Sequence, residues 1–391
     1  MRKLKPGHLL TVLLLTFVGP SGLWAQGTKD RSQNPQQGRA FYEAAQKFEQ
    51  DGNWVAAEKE WRAWLALAAN DARAWTNLGV ALNRQARINE AIEAWHRAIS
   101  IDPKLSGAHL NLGLTLVKTE KYGDAVSPLR RALTYEPENE GARRALVVAL
   151  VGSEQFREAS REIAQLLTRA PRDAALLELA AQSFMRQRRY PEAATVLRRR
   201  LDLPGETNHL WAQYGDALDG ASRTPEAAEA YRKAVELDPA STLVRYGLGY
   251  LYWKLVRYDD AERELTEVLR RDPSDARAAF TLGDLYLTKG DARRSLPMLE
   301  AAVAAYPAEF DTRFALGRAL VLTGNVQRGI EELRAAVKID ESIADGHFQL
   351  GRALLRAGTQ AEGKQELEKA RALQAKRRAG EAERFRKKLP L

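Results

Sequence analysis

Along most of the chain, apolar residues recur at i, i+3, i+4 and i+7, with charged and polar residues between them. That period is the one an amphipathic helix needs to bury one face, so each such run predicts a helix. The runs come in pairs. A short polar break, often carrying glycine, separates the two members of a pair, and a proline commonly follows the second. Glycines 52, 290, 324 and 358 fall in the first kind of break, where a tight turn calls for positive φ. Prolines 103, 137, 171, 239, 273 and 307 fall in the second, where proline cannot continue a helix.

The pairs are copies of one another. "AWTNLGVALNRQARINEAIEAWHRAISIDP" (74–103), "AHLNLGLTLVKTEKYGDAVSPLRRALTYEP" (108–137) and "LWAQYGDALDGASRTPEAAEAYRKAVELDP" (210–239) align without insertion. The step from Gly79 to Gly113 is 34 residues, and Gly215, Gly249, Gly283, Gly317 and Gly351 keep the register. Extended both ways, it gives ten repeats from Gly38 to Arg377. Small residues at Gly79 and Ala91, and at their counterparts, let the two helices of a repeat approach closely, while Leu82, Trp95, Leu116, Leu129, Leu218 and Tyr231 fill the layer around them. A single pair buries too little to stand alone, so stacking must supply the core.

In residues 72–105, Trp75, Leu78, Gly79, Leu82, Ala91, Trp95, Ala98 and Pro103 reproduce the signature of the tetratricopeptide repeat family, which the sequence resembles over about 87% of its length. The resemblance implies an all-α fold, a right-handed superhelical α-solenoid of about ten stacked helix-turn-helix repeats. The local departures are Val147 in place of a small residue in the fourth repeat, Arg200 in place of a packed Ala in the fifth, and Pro204 one residue early in "LDLPGETN". They predict a softer joint near residues 197–208.

Outside the repeats, residues 1–25 carry Arg2, Lys3 and Lys5, an apolar stretch from Leu9 to Val18, and small residues up to Ala25. This is the pattern of a secretory signal peptide cut after Ala25, and the apolar stretch is roughly half the ~20 residues a membrane span requires. The expectation is an exported bacterial protein of the periplasm or the medium. Residues 26–37, "QGTKDRSQNPQQ", lack apolar period and read as a flexible polar linker. Residues 378–391 read as a basic cap continuing the last helix, with a break at Gly380.

Composition removes several kinds of chemistry. Cysteine is absent, which excludes disulfides, thiolate metal sites and cysteine nucleophiles. The formal net charge is +9, but residues 374–391 hold seven basic and two acidic residues and the N-terminal segment three more basic ones, so the body is nearly neutral. A groove for nucleic acid needs lysines and arginines aimed at phosphates along its length, so no nucleic-acid partner is expected. The basic end could meet an anionic surface weakly. His96, His109, His209 and His347 lie in different repeats with no second ligand at helical spacing, and His109 and His347 stand where Trp75 and Trp211 stand, in packing positions. "GLG" at 247–249 lies inside a helical repeat and not after a strand, so it is no dinucleotide fingerprint. No catalytic residue, metal site or cofactor is expected, and the chain is read as a non-enzyme.

Recognition remains. In the family, the first helices of successive repeats line a concave groove that holds the ligand. In "RYGLGYLYWK" (245–254), Leu248, Gly249 and Tyr252 fall on the packing face, while Tyr246, Tyr250 and Trp253, with Lys254 beside them, form a separate stripe. The register continues that stripe as Phe280 and Asp284, then Phe314 and Arg318, then Phe348, Arg352 and Arg356. Aromatics and arginines are the residues of binding hot spots. Tyr246, Phe280, Phe314 and Phe348 also suit packing between neighbouring first helices. The earlier groove, with Arg73, Thr76, Val80, Asn83 and Arg84 and then Leu110, Leu114, Val117 and Lys118, offers fewer rings. Tyr42 and Gln46, or Thr76 and Val80, occupy the places where the resemblance would put the Lys and Asn of a carboxylate clamp. The sequence therefore predicts a non-catalytic scaffold that holds a peptide or partner protein in the groove of repeats seven to ten. The alternatives are a structural subunit of an envelope machine such as a pilus, secretion or polysaccharide-export assembly, and the regulatory arm of an enzyme.

Overall fold

The turn between the two helices of a repeat sets the architecture. In a computed structural model that describes residues 35–388, with side chains over 38–381, all ten turn positions have positive φ. Four are the glycines 52, 290, 324 and 358, and six are Ala86, Glu120, Glu154, Arg188, Ser222 and Val256, with φ from 57° to 62°. The backbone closes nine of the ten turns in the same way, the turn at Gly324 making only the first of the two bonds. After the seventh first helix, Val256 N–H donates to the Trp253 carbonyl at 3.0 Å and Arg257 N–H to the Tyr252 carbonyl at 2.9 Å, a Schellman motif that satisfies the last carbonyls of the helix. The sequence placed glycine in this turn, but the hydrogen bonds hold the left-handed residue even where the side chain disfavours it.

The described residues form twenty helices and no strand, an all-α solenoid, and the chain divides into two compact modules, Met1–Pro204 and Gly205–Leu391. The described part of the first holds α1 (Pro35–Gln50), α2 (Trp54–Leu67), α3 (Ala72–Arg84), α4 (Ile88–Ile101), α5 (Ser106–Lys118), α6 (Tyr122–Tyr135), α7 (Glu140–Gly152), α8 (Phe156–Arg169), α9 (Ala174–Arg186) and α10 (Tyr190–Leu201). The second holds α11 (Asn208–Gly220), α12 (Thr224–Leu237), α13 (Thr242–Lys254), α14 (Tyr258–Arg271), α15 (Ala276–Thr288), α16 (Ala292–Ala305), α17 (Phe310–Leu322), α18 (Val326–Ile339), α19 (Ala344–Arg356) and α20 (Gln360–Lys388). Odd-numbered helices open a repeat and even-numbered ones close it. Within each module a helix packs mainly on its repeat partner and on the next repeat's first helix.

Packing within a repeat is close at the expected glycines. A Cβ at Gly79 would lie 2.4 Å from the Trp95 indole, and one at Gly317 would lie 2.7 Å from Leu333 and 3.0 Å from the Gly329 carbonyl. The ring of Trp95 and the side chains of Leu82, Leu129 and Leu218 are essentially inaccessible. Many first helices start on a capping side chain. Asp71, Asp173, Asp275 and Asn139 each accept from a backbone N–H of the first turn.

One position ties repeat to repeat. Trp75 Nε1 donates to the Ala69 carbonyl, His109 Nε2 lies 2.9 Å from the Pro103 carbonyl, and Arg143, Arg245 and Arg313 donate to the carbonyls of prolines 137, 239 and 307. The same arginines pair with Glu162, Glu264 and Glu332 on the second helix of their repeat. His347 takes the equivalent pair of acceptors, with Nδ1 2.5 Å from Glu366 and Nε2 3.0 Å from the Glu341 carbonyl. The two buried histidines are therefore staples of the solenoid.

Three details differ from the sequence reading. Helix α1 begins at Pro35, inside the expected linker, because proline suits a first turn. Residues 1–34, with the signal peptide and the rest of the linker, lie outside the described residues. Helix α20 runs unbroken through Gly380, which meets no neighbour, so only the intrinsic cost of a helical glycine, about 1 kcal/mol, opposes it. Around Pro204, α10 has 12 residues where the other closing helices of its module have 14, since proline disfavours a helical Leu203. Arg200 is accommodated there by polar contacts, its guanidinium donating to Glu178 at 2.6 Å and to the Pro204 carbonyl at 3.2 Å.

Candidate partner-binding face

Helix α13 shows how one stretch serves both the core and the surface. Ser241 caps it by accepting from Val244 N–H. Leu248 and Tyr252 are buried at 3% and 4% exposure, and a Cβ at Gly249 would meet Leu265 at 2.9 Å. Gly247 has a role that the sequence did not disclose. The Tyr231 ring is held between it and Gly215, where added Cβ atoms would sit 2.2 and 2.5 Å from that ring. The Tyr231 hydroxyl donates to Asp216 at 2.6 Å, and burial, with that carboxylate, pushes the phenol well above its ordinary pKa.

The remaining rings of α13 form a stack. Tyr246 and Tyr250 have centroids 6.3 Å apart with planes 25° from parallel, and Tyr250 and Trp253 are 5.7 Å apart at 22°. Their i, i+4 and i+7 spacing puts them on one side of the helix. Tyr250 is 38% exposed, while Tyr246 and Trp253 are half-buried. Lys254 Nζ lies 5.9 Å from the Tyr250 centroid and pairs with Asp219 at 2.6 Å, and the Arg277 guanidinium lies 4.9 Å over Tyr246. Burial raises the Tyr246 pKa, opposed by the Thr281 hydroxyl and Arg277.

The other expected residues separate into two sets. Phe280 is half-buried against Leu287, Leu299 and Leu316, and Phe314 against Ile330, Leu333 and Leu350, so both rings are largely structural. Phe348 is 39% exposed. Arg318 lies across the Phe314 ring at 5.6 Å and Arg352 across Phe348 at 5.7 Å, each one turn along the same helix, and Arg356 donates to the Val321 carbonyl at 3.0 Å. Asp284 is half-buried. Burial raises its pKa, and the Arg318 guanidinium and Trp253 indole lower it without cancelling the rise.

Two acids and two leucines complete this face. Asp216 and Asp219 occupy on α11 the places of Tyr250 and Trp253, and Leu243 and Leu322 are 62% and 58% exposed. The 34-residue register carries this signal for the acids, though not in their residue type. On α5 and α7 of the N-terminal module the first-helix face is different: Leu110, Leu114, Val117, Val148 and Val151 are all buried. There side chains seal it, while Arg73, Arg84 and Lys118 stay exposed.

Among the described residues no group of three or more His, Asp or Glu side chains is placed to hold a metal ion, and no helix is long and apolar enough to cross a membrane.

Models of the tetratricopeptide repeat match residues 72–105, 116–183, 220–285 and 280–343, together more than half of the chain. The chain belongs to the tetratricopeptide repeat family, whose fold is a scaffold for protein–protein interaction. No curated protein matches it. Among solved structures it is similar to MamA (residues 41 to the end) from Desulfovibrio magneticus RS-1, at 23% identity over 44% of this chain and 98% of that one, with a TM-score of 0.42. It is also similar to YrrB, described as a TPR protein with an unusual peptide-binding site, at 19% identity over 56% and 96% with a TM-score of 0.35. A third is the Naa15/Naa10 assembly bound to HypK-THB, at 15% identity over 86% and 64% with a TM-score of 0.48.

Proposed function

We propose that the protein is an exported, non-catalytic scaffold that binds an extended segment of a partner protein on the first-helix face of α13 to α19. The observation that carries this reading is the Tyr246–Tyr250–Trp253 stack, which exposes the Tyr250 ring between two half-buried rings at positions the repeat does not need for its core. Exposed aromatics beside arginines supply large contact area at low entropic cost, which is how hot spots work. The basic and apolar character of residues 1–25 supports export, with action in the periplasm or the medium.

The test is affinity capture from the envelope fraction with the wild-type chain beside the Tyr250→Ala/Trp253→Ala double variant. A partner retained by the first and lost by the second supports the reading, and equal capture by both removes the binding site from this face. A fusion of residues 1–37 to a reporter active only outside the cytoplasm tests export independently, and a silent reporter would refute it.

A further inference from the structure

Charge is distributed unevenly along this face. The middle position of the five first helices of the C-terminal module reads Asp216, Tyr250, Asp284, Arg318 and Arg352, acids and a ring followed by guanidiniums. Many other arginines of the module are matched to carboxylates. Arg223 pairs with Glu226, Arg245 with Glu264, Arg294 with Glu262 and Asp291, and Arg334 with Glu362. Arg318, Arg352 and Arg356 instead lie on rings or a backbone carbonyl, and among the described residues none of the three has a carboxylate at ion-pairing distance. Asp311 and Asp345 lie on the same helices, but seven residues toward the N-termini, about 10 Å along the axis, on the rim of the face.

At the other end the imbalance is reversed. Asp284 stands next to the Trp253 indole and the Tyr250 stack with no cation at ion-pairing distance among the described residues, since Arg318 acts on it only from farther away. An aromatic surface bordered by a half-buried carboxylate suits a cationic side chain, which gains from both the ring face and the acid.

Accepting the reading above, we infer that the partner segment is charge-ordered: a lysine or arginine rests on the Tyr250 ring beside Asp284, and acidic side chains lie over Arg318 and Arg352. Neighbouring helices stand about 10 Å apart, so two steps from α15 to α19 span about 20 Å, or about six residues of extended chain. Opposite charges at that separation fix the direction in which the segment lies, because the reversed orientation sets like charges together.

A phage-displayed random 12-residue peptide library selected on the immobilised protein tests this. Peptides are kept for analysis when Tyr250→Ala/Trp253→Ala abolishes their binding. The inference expects these to carry a basic and an acidic residue about six positions apart in one consistent order, and the variant Asp284→Arg/Arg352→Asp to select the opposite order. Far-UV circular dichroism checks that variant's fold. If it does not fold, Asp284→Asn and Arg352→Gln replace it, each expected to weaken a selected peptide about three- to tenfold. Face-dependent peptides without charge order, or with the same order on both proteins, overturn the inference while the binding face stands. Absence of any face-dependent peptide overturns both.

Discussion

Val256 is the least comfortable residue in the solenoid. It is β-branched, has φ of 62°, and is 65% exposed, so its side chain gains little from packing. A left-handed L-residue costs about 1–2 kcal/mol, and glycine's extra freedom in the unfolded chain takes back about 0.5–1, so Val256→Gly stabilises by about 0.5–1 kcal/mol. With a urea m-value of about 3 kcal/mol/M, the midpoint rises by about 0.2–0.3 M with no change in slope. Val256→Ala is the control, because alanine loses the same branched side chain but keeps the left-handed penalty. Equilibrium urea unfolding followed by circular dichroism at 222 nm should rank the three Gly, then Ala, then Val. Equal stability of the Ala and Gly variants would show that the left-handed penalty at this turn does not exceed glycine's entropic cost and would refute the reasoning.

Other substitutions probe different parts of the account. Gly247→Ala drives a methyl into the Tyr231 ring and destabilises by about 1–3 kcal/mol, whereas Gly123→Ala on α6, with no neighbour to meet, is neutral or stabilising by up to about 1, both read from urea midpoints. Pro297 sits exposed inside α16, and Pro297→Ala restores a helical N–H, raising stability by about 1–3 kcal/mol in the same assay. His347→Leu removes the imidazole contacts to Glu366, which keeps Lys369, and to the Glu341 carbonyl, and costs about 1–3 kcal/mol, while His347→Arg, copying Arg245 and Arg313, recovers most of that in thermal melts. Asp284 has its pKa raised by burial, so its folded form holds a proton more tightly than the unfolded chain does and its ionised form destabilises the fold. Asp284→Asn is therefore more stable than wild type at neutral pH, and the gap closes as pH falls through the raised folded-state pKa toward 3.8. A gap independent of pH would show that the carboxylate is not desolvated.

The helices, their pairing and the repeat boundaries were legible because period, small residues and prolines recur in one register. What escaped was set by contacts that the register does not encode. The turn at residues such as Glu120 and Val256 gives no sign of its left-handed backbone, because two backbone hydrogen bonds hold it and not the side chain. The Tyr231 ring between Gly215 and Gly247 joins two repeats, so no single copy displays it. At the candidate face, the i, i+4 and i+7 spacing identified the ring stack, but the burial of Phe280 and Phe314 depends on the helix beyond, and the sealing of Leu114 and Val148 depends on how closely α5 and α7 approach. Asp216 and Asp219 share the register of Tyr250 and Trp253, but aspartates on a helix surface are not distinctive by residue type.

The central claim is that the partner lies on the α13–α19 first-helix face, and site-specific photocrosslinking in the native host tests it most directly. A benzophenone amino acid is placed at position 250, and separately at the exposed Thr266 on α14. The account predicts a discrete adduct from position 250 that Trp253→Ala abolishes, with none from position 266. An adduct from position 266 alone would place the partner on the opposite surface and contradict it.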